Sequence, residues 1–173
     1  LEAARAAGFA RTKLNTVLLG GINDDEIPAL AALTQNEPYS LRFIELMPMG
    51  ECAHWPRERF LPADAVLAAL PGLEPLGMDG VSEVYRLPGA AGTVGLIRPL
   101  SHRFCGDCNR VRLTSDGMLK PCLHAAAEFP LRGLHGAALR AAFRQAVRAK
   151  PARHARAPNA PSAAGRTMNE IGG

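Results

Sequence analysis

Four cysteines occur in the 173-residue sequence, and three of them, Cys105, Cys108 and Cys122, fall within 18 residues. The Asp116-Gly117 pair that precedes Cys122 predicts a β-hairpin with a two-residue turn, in which Val111 lies opposite Cys122. Because a strand rises ~3.3 Å per residue, Cys122 then returns to within roughly 10 Å of Cys108 along the strand. The loop before the hairpin can bring Cys105 over the same place. The three thiols are therefore expected to converge.

Three converging thiolates can hold either of two inorganic groups. A tetrahedral zinc ion needs a fourth ligand, which His102 or His124 could supply. A [4Fe–4S] cluster held by three cysteines leaves one iron without a protein ligand, and that iron could bind a substrate atom. Residue types and spacing leave both alternatives open. The fourth cysteine, Cys52, fits neither set of ligands.

Arginines follow the second cysteine of this segment directly. In the strand that the hairpin predicts, Arg110 and Arg112 point to one face, and Val111 and Leu113 point to the other. A guanidinium group presents a planar fork of donors that matches a phosphate group. The chain has a net charge of +4, but its aromatic content of 5% is low for a surface that stacks nucleic-acid bases. The arginine pair predicts a phosphate clamp next to the cysteine site.

The N-terminal part of the sequence alternates between predicted helices and strands. A helix over residues 1–7 ends before Gly8, and a second helix begins at an N-cap in Asn23–Asp25 and runs to about Gln35. Strands are predicted at Lys13–Leu19 and Ser40–Leu46. A crossover of about 20 residues containing a helix makes such strands parallel neighbours. Functional groups gather at the ends of such strands, here at Gly20–Asn23 and Met47–Gly50.

The remaining elements are a helix, two short strands, the hairpin and a long helix. The first helix is predicted at Pro62–Leu70 and the two short strands at Val81–Leu87 and Thr93–Ile97. The hairpin strands are predicted at Val111–Thr114 and Met118–Leu123, and the long helix at Leu131–Lys150. The two short strands are expected to form a smaller antiparallel unit. The long helix should collect its apolar residues on one side. Those residues are Leu131, Leu134, Leu139, Phe143 and Val147, with Arg140, Arg144 and Arg148 on another stripe.

The cysteine segment, FCGDCNRVRLTSDGMLKPCL, resembles the C-terminal cluster region of the GTP 3′,8-cyclase family, radical S-adenosylmethionine enzymes of molybdenum cofactor biosynthesis. Other stretches agree with the family in the same order along the chain: KLNTV at Lys13–Val17, GINDDEI at Gly21–Ile27, RFIELMPMG at Arg42–Gly50, and the terminal Gly172-Gly173. The resemblance covers most of the chain and is weakest over residues 62–93 and 151–165.

The resemblance implies a role for each matching residue. Cys105, Cys108 and Cys122 would hold the family's second [4Fe–4S] cluster, whose open iron binds the guanine of GTP. The residues that would contact GTP are Lys13, Arg42, Arg110, Val111 and Arg112. Met47 would line the S-adenosylmethionine site. The catalytic residues that would reach into the active site are Gly172 and Gly173.

The resemblance also implies a reaction. The family cleaves S-adenosylmethionine to a 5′-deoxyadenosyl radical, which abstracts the ribose 3′ hydrogen of GTP. The product, (8S)-3′,8-cyclo-7,8-dihydroguanosine 5′-triphosphate, passes to cyclic pyranopterin monophosphate synthase. The family's first cluster, on a loop of three cysteines, has no counterpart here. S-adenosylmethionine and that cluster are therefore expected in a missing N-terminal half, and this chain alone is expected to be inactive.

The expected fold is α/β in two parts. Residues 1–56 would be the C-terminal part of an incomplete TIM-like (βα)6 radical S-adenosylmethionine barrel. Residues 57–173 would be a small antiparallel region with the second cluster, the GTP site and the Gly-Gly tail. A homodimer in the cytoplasm is expected, without membrane or nucleic-acid partners. The alternative is a zinc-stabilised module, with three cysteines and one histidine as ligands, that binds nucleotides or nucleic acid.

Overall fold

The computed structural model of the chain describes residues 1–153 and 164–171. The chain divides into two compact units. The sheet unit consists of Leu1–Leu46 and Pro56–Phe104, and the hairpin unit consists of Met47–Trp55 and the chain from Cys105 onward. Both units combine short helices with β-strands, so the expected α/β class is confirmed at this level.

The sheet unit is built on one mixed sheet of five strands in the order β1-β2-β5-β4-β3. The strands are β1 Lys13–Leu18, β2 Ser40–Glu45, β3 Glu74–Asp79, β4 Ser82–Arg86 and β5 Thr93–Ile97. The helices are α1 Glu2–Ala6, α2 Ile27–Ala32 and α3 Asp64–Ala69, with a 3-10 turn at Arg57–Arg59. None of the helices in the described part of the chain has the length and apolarity that crossing a bilayer requires.

The first two strands confirm the prediction from the sequence. β1 and β2 are parallel, with Lys13 beside Ser40 and Asn15 beside Arg42. Side chains alternate along β2, so that Leu41 and Phe43 are buried in the core while Arg42 faces the opposite side of the sheet. Residues of α2 and α3 complete this core, and that packing fixes which side chains the other face presents.

The prediction of a separate antiparallel unit for the next strands is wrong. β5 pairs antiparallel with β4, as expected, but it also pairs in parallel with β2 and so joins the same sheet. The three middle residues of β5 are buried, which suits a strand in the middle of a sheet. Strand β3 was not predicted, because all six of its residues are exposed and give little apolar signal.

The predicted start of the second helix is also wrong. The N-cap of α2 is Glu26, and the helix begins at Ile27, with Pro28 in its first turn. Asn23 instead closes the end of β1. Its side-chain oxygen accepts a hydrogen bond from Leu19 N at 2.9 Å, and its side-chain nitrogen donates to Val17 O at 2.9 Å.

The hairpin unit has a small three-stranded sheet in the order β6-β7-β8. The strands are β6 Arg112–Leu113, β7 Met118–Lys120 and β8 Phe129–Pro130, followed by helix α4 at Gly136–Arg148. Short 3-10 turns lie at Gly50–His54, Cys105–Asp107 and Met168–Ile171. Leu119, Leu131 and Ala146 form the core of this unit.

Helix α4 is shorter than predicted and buries a different face. The segment from Leu131 to His135 turns before the helix starts, so Leu131 packs in the core without being helical. Ala146 is fully buried, and Leu139 and Ala142 pack beside it. Phe143 and Val147 are 40% and 53% exposed, so the predicted apolar side is only partly a core side.

The register of the hairpin differs by one residue from the prediction. Arg112 lies opposite Lys120, and Leu113 opposite Leu119, so the loop has three residues and Gly117 takes a positive φ of 85°. Thr114 sets this register, because its hydroxyl accepts a hydrogen bond from Met118 N at 2.8 Å. Three-residue loops of this kind place a glycine in the left-handed region. The register extrapolates to Arg110, rather than Val111, opposite Cys122.

Candidate cysteine and arginine site

The first two cysteines of the site lie on one tight turn. Cys105 opens the 3-10 turn Cys105–Asp107, and Cys108 N donates a hydrogen bond to Cys105 O at 3.3 Å. Cys122 follows Pro121 just after β7, and its carbonyl accepts a hydrogen bond from Ala125 N at 3.1 Å. All three are free, partly exposed thiols. Their side chains are therefore available to an inorganic group.

Lys150 joins the parts of this site. Its ammonium nitrogen lies 3.5 Å from Cys108 Sγ, 2.8 Å from Arg110 O and 3.0 Å from Pro121 O. An ammonium group has three donors, and these three contacts use them all. The turn with Cys105 and Cys108, the backbone just before β6 and the residue before Cys122 are thus held around one cation.

The thiols do not form a single-ion site. Over residues 1–153 and 164–171, no three His, Cys, Asp or Glu side chains gather as one metal ion would require. His102 instead lies 3.2 Å from Glu83 within the sheet unit. In the described part of the chain, three cysteines and one histidine are therefore not gathered around one point. A [4Fe–4S] cluster takes one thiolate per iron, so its ligands stand farther apart than those of one ion, and an all-thiol donor set suits it. Ligation by Cys105, Cys108 and Cys122 stays a prediction.

The arginines line a groove within the hairpin unit. The groove has a volume of about 440 Å³, within the range of small-molecule sites. Its walls are Asn109, Arg110, Val111, Arg112, Leu113 and Ile171. Val111 and Leu113, expected to turn their apolar side chains away from the arginines, are 40% and 59% exposed. The structure thus brings Arg110, Val111 and Arg112 together in one concave surface.

Electrostatics at the groove favour an anion. Burial lowers the pKa of Arg112, and the charge of Arg110 lowers it further, while Cys108 raises it. The lowered pKa of Arg112 shows that the guanidinium of Arg110 is close enough to repel it. A phosphate group between them would replace that repulsion with two charge-assisted sets of hydrogen bonds.

The other predicted GTP contacts, Lys13 and Arg42, lie together in the sheet unit. Lys13 Nζ is 3.3 Å and Arg42 Nη2 is 2.5 Å from Asp79 Oδ2. The hydrogen bond from Lys13 is the largest cause that lowers the pKa of Asp79, followed by the charges of Lys13 and Arg42. These two cations share one carboxylate, which was not predicted from the sequence.

Three further predicted residues have less defined surroundings. Met47 belongs to the hairpin unit, is half-buried, and its carbonyl accepts a hydrogen bond from Met49 N at 2.9 Å. Gly172 and Gly173 lie outside the described residues. Ile171, the last described residue, is fully buried and lines the arginine groove.

Sequence reasoning missed Lys150, Asp79 and Glu45. Glu45 is 2% exposed at the end of β2, and its carboxylate accepts hydrogen bonds from Ala63 N, Leu100 N and Ser101 N at 3.1, 2.9 and 3.0 Å. It therefore fixes the loop after β5 to the end of β2. Each contact spans 18 or more residues along the chain, and no local pattern marks it.

The fold and the site define a small mixed α/β protein with a thiol and arginine region suited to an inorganic cofactor and an anion. Residues 39–156 match the sequence model of the family described as Molybdenum Cofactor Synthesis C, and the chain belongs to this family. It is 43% identical to the GTP 3′,8-cyclase of Alkaliphilus metalliredigens over 178 residues, covering 100% of this chain and 56% of that protein.

Two further relatives give the same result. The GTP 3′,8-cyclase of Alkaliphilus oremlandii is 42% identical over 171 residues, covering 96% of this chain and 53% of that protein. The GTP 3′,8-cyclase of Peptoclostridium acidaminophilum is 44% identical over 160 residues, covering 89% of this chain and 49% of that protein. The chain spans about half the length of the curated relatives it matches, and it corresponds to their C-terminal part.

Proposed function

We propose that this chain, within the full-length enzyme, supplies the second [4Fe–4S] cluster site and part of the GTP site of a GTP 3′,8-cyclase. The reaction is the radical S-adenosylmethionine-dependent cyclisation of GTP that begins molybdenum cofactor biosynthesis. One observation carries the proposal: Lys150 binds Cys108, the backbone of Arg110 and the residue before Cys122. This contact supports a site to which both thiols and arginines contribute.

Each residue of the hairpin unit has a proposed part. Cys105, Cys108 and Cys122 would hold the cluster, which supplies an iron without a protein ligand as a binding position for the base. Arg110 and Arg112 bind the triphosphate, and their mutual repulsion is relieved when it enters the groove. Val111, which is 40% exposed in the groove, contacts the same ligand.

The remaining predicted residues keep the roles that the family implies. Lys13 and Arg42 are further GTP contacts, whose cations Asp79 holds in place. Met47 lines the S-adenosylmethionine site, and Gly172 with Gly173 completes the active site. The protein's share in this chemistry is to bind and orient the nucleotide and to exclude water, while the cofactors supply the reactivity.

The setting of this site also follows the family. We propose that residues 1–56 complete an incomplete (βα)6 barrel, and that residues 57–173 form the cluster and GTP region. The first cluster and S-adenosylmethionine would bind in a part of the full-length enzyme outside this chain, and we expect this chain alone to be inactive. The full-length enzyme is a cytoplasmic homodimer with GTP as its substrate, and cyclic pyranopterin monophosphate synthase consumes its product.

Cys122→Ser in the full-length enzyme tests the cluster assignment. After reconstitution without oxygen, we expect the variant to hold about four irons fewer per chain than the wild type, because a serine hydroxyl replaces one cluster thiolate. Cys52→Ser is the matched control and should keep the wild-type iron content. Unchanged iron in Cys122→Ser, or one tightly bound zinc per chain in the wild type, would contradict the proposal.

A further inference from the structure

The segment 164–171 is anchored to the hairpin through one arginine. Arg166 Nε donates to Glu128 Oε1 at 2.7 Å, and Arg166 Nη2 donates to Glu128 Oε2 and to Asp116 Oδ2, each at 2.8 Å. The guanidinium therefore meets Glu128 with two parallel hydrogen bonds and reaches a second carboxylate as well. Surface ion pairs usually add little stability, but bidentate pairs within a network are the exception.

The two acids are held in place by other residues. Lys120, which is fully buried, donates to Glu128 Oε1 at 2.9 Å and to Ala125 O at 2.8 Å. Asp116 accepts a hydrogen bond from the hydroxyl of Thr114, the residue that sets the hairpin register. The hydrogen bond from Arg166 is the largest cause that lowers the pKa of Glu128. Glu128 and Asp116 are thus two fixed negative charges beside Arg166.

A second contact seats the next residue. A Cβ atom at Gly50 would lie 3.0 Å from Thr167 Cγ2 and 3.2 Å from its Cα, and Gly50 has a positive φ of 54°. Thr167 therefore packs directly on the backbone of Gly50, where a Cβ would force Thr167 to shift by a few tenths of an ångström. Thr167 N and its hydroxyl both donate to Glu170 Oε2 at 2.7 Å, which stabilises the turn that follows.

This anchored segment ends at the arginine groove. Its last described residue, Ile171, is fully buried and forms one wall of the groove with Arg110 and Arg112. Ile171 lies five positions after Arg166, and the last four residues form a single 3-10 turn, so fixing Arg166 and Thr167 also fixes Ile171.

We propose that Arg166 is a positioning residue for nucleotide binding, and that it acts by seating Ile171 in the groove. We name this arrangement the tail latch. Its charged part consists of Arg166, Glu128, Asp116 and Lys120, and Gly50 provides the surface on which Thr167 packs. The inference rests on the proposed function, since that function makes the groove a triphosphate site. Without the tail latch, the groove loses the wall that Ile171 forms, and a bound triphosphate is more exposed to water. Its electrostatic interactions with the arginines are then weaker.

The first arm of the test measures hydrogen–deuterium exchange at residues 167–171 in the full-length enzyme. Arg166→Ala should speed exchange there by about tenfold or more, because hydrogen bonds between charged groups are lost. Arg166→Lys keeps the charge without the fork and should give an intermediate rate. Arg144→Ala, an exposed arginine on α4, is the matched control and should leave exchange unchanged.

The second arm measures GTP affinity and iron content in the same variants. Arg166→Ala should weaken GTP binding several-fold while iron content stays at the wild-type value, a combination that general misfolding would not give. Gly50→Ala should reproduce both effects without changing any charge, because its Cβ crowds Thr167 and its positive φ strains an alanine.

The outcomes separate the positioning role of Arg166 from the proposed function. Unchanged exchange in Arg166→Ala overturns the latch. Faster exchange with unchanged GTP affinity overturns its positioning role, while the proposed function stands. A wild-type enzyme that binds no GTP contradicts the proposed function itself, and the positioning role fails with it.

Discussion

The two pairs of cations in this protein are arranged in opposite ways. In the sheet unit, Lys13 and Arg42 share the carboxylate of Asp79. In the hairpin unit, Arg110 and Arg112 stand close enough to lower the pKa of Arg112, in a groove with Lys150 bound to the backbone of Arg110. The first pair meets at one carboxylate. The second lies side by side at a concave surface, where a phosphate group would add charge-assisted hydrogen bonds to both guanidinium groups.

The largest expected effect is at the hairpin pair. Replacing both Arg110 and Arg112 by alanine in the full-length enzyme should weaken GTP binding by more than about tenfold, because hydrogen bonds between charged groups are worth about 1.5–3 kcal/mol each. Isothermal titration with GTP measures this change. Arg140→Ala, on the exposed stripe of α4, is the control and should bind GTP as the wild type does. Equal affinity in the double variant would remove the groove from the GTP site.

A smaller effect is expected from Lys150→Met. The variant keeps most of the side-chain length but loses the positive charge beside Cys108 and the two bonds to backbone carbonyls. Removing a nearby positive charge makes adding an electron harder, so the reduction potential of the reconstituted cluster should fall. Redox titration measures the shift, and Lys150→Arg, which keeps the charge, should stay nearer the wild type. A potential that does not move would separate Lys150 from the cluster.

The smallest effect is expected from Asp79→Asn in the sheet unit. Its side chain is more than half exposed, so its ion pairs are screened, and GTP affinity should change by less than about threefold. Folding lowers the pKa of Asp79, so its carboxylate stabilises the fold above its ordinary pKa near 4 and loses that contribution as the pH falls below it.

Chemical unfolding at pH 6 and pH 3 checks the sign of this effect. The wild type should lose more stability between these pH values than Asp79→Asn does. A larger loss in the variant would contradict the role assigned to Asp79. A large loss of GTP affinity would instead make the sheet pair as important as the hairpin pair.

Local patterns in the sequence predicted what depends on neighbouring residues. The apolar runs of β1 and β2 and their parallel pairing were predicted, as was the hairpin around Gly117. The one-residue error in the hairpin register came from a side chain, since Thr114 binds the backbone of Met118 and favours a longer loop. No two-residue motif carries that information.

Contacts between distant residues were not predictable in the same way. The cysteine and arginine positions were named because they are close in sequence and match a family pattern. Lys150 lies 42 residues from Cys108, and Arg166 lies 38 residues from Glu128. A lone lysine at a helix end or an arginine in a Pro- and Ala-rich stretch carries no local signal. Only the folded chain shows which groups they bind.

We propose that one place in the hairpin unit holds both the cluster and the nucleotide. The most direct test is electron paramagnetic resonance of the reduced, reconstituted full-length enzyme with Cys122 intact, recorded before and after GTP is added and compared with the Cys122→Ser variant. GTP should alter a cluster signal in the wild type, and this signal should be absent from the variant. GTP that binds with full affinity and leaves every cluster signal unchanged would contradict the proposal.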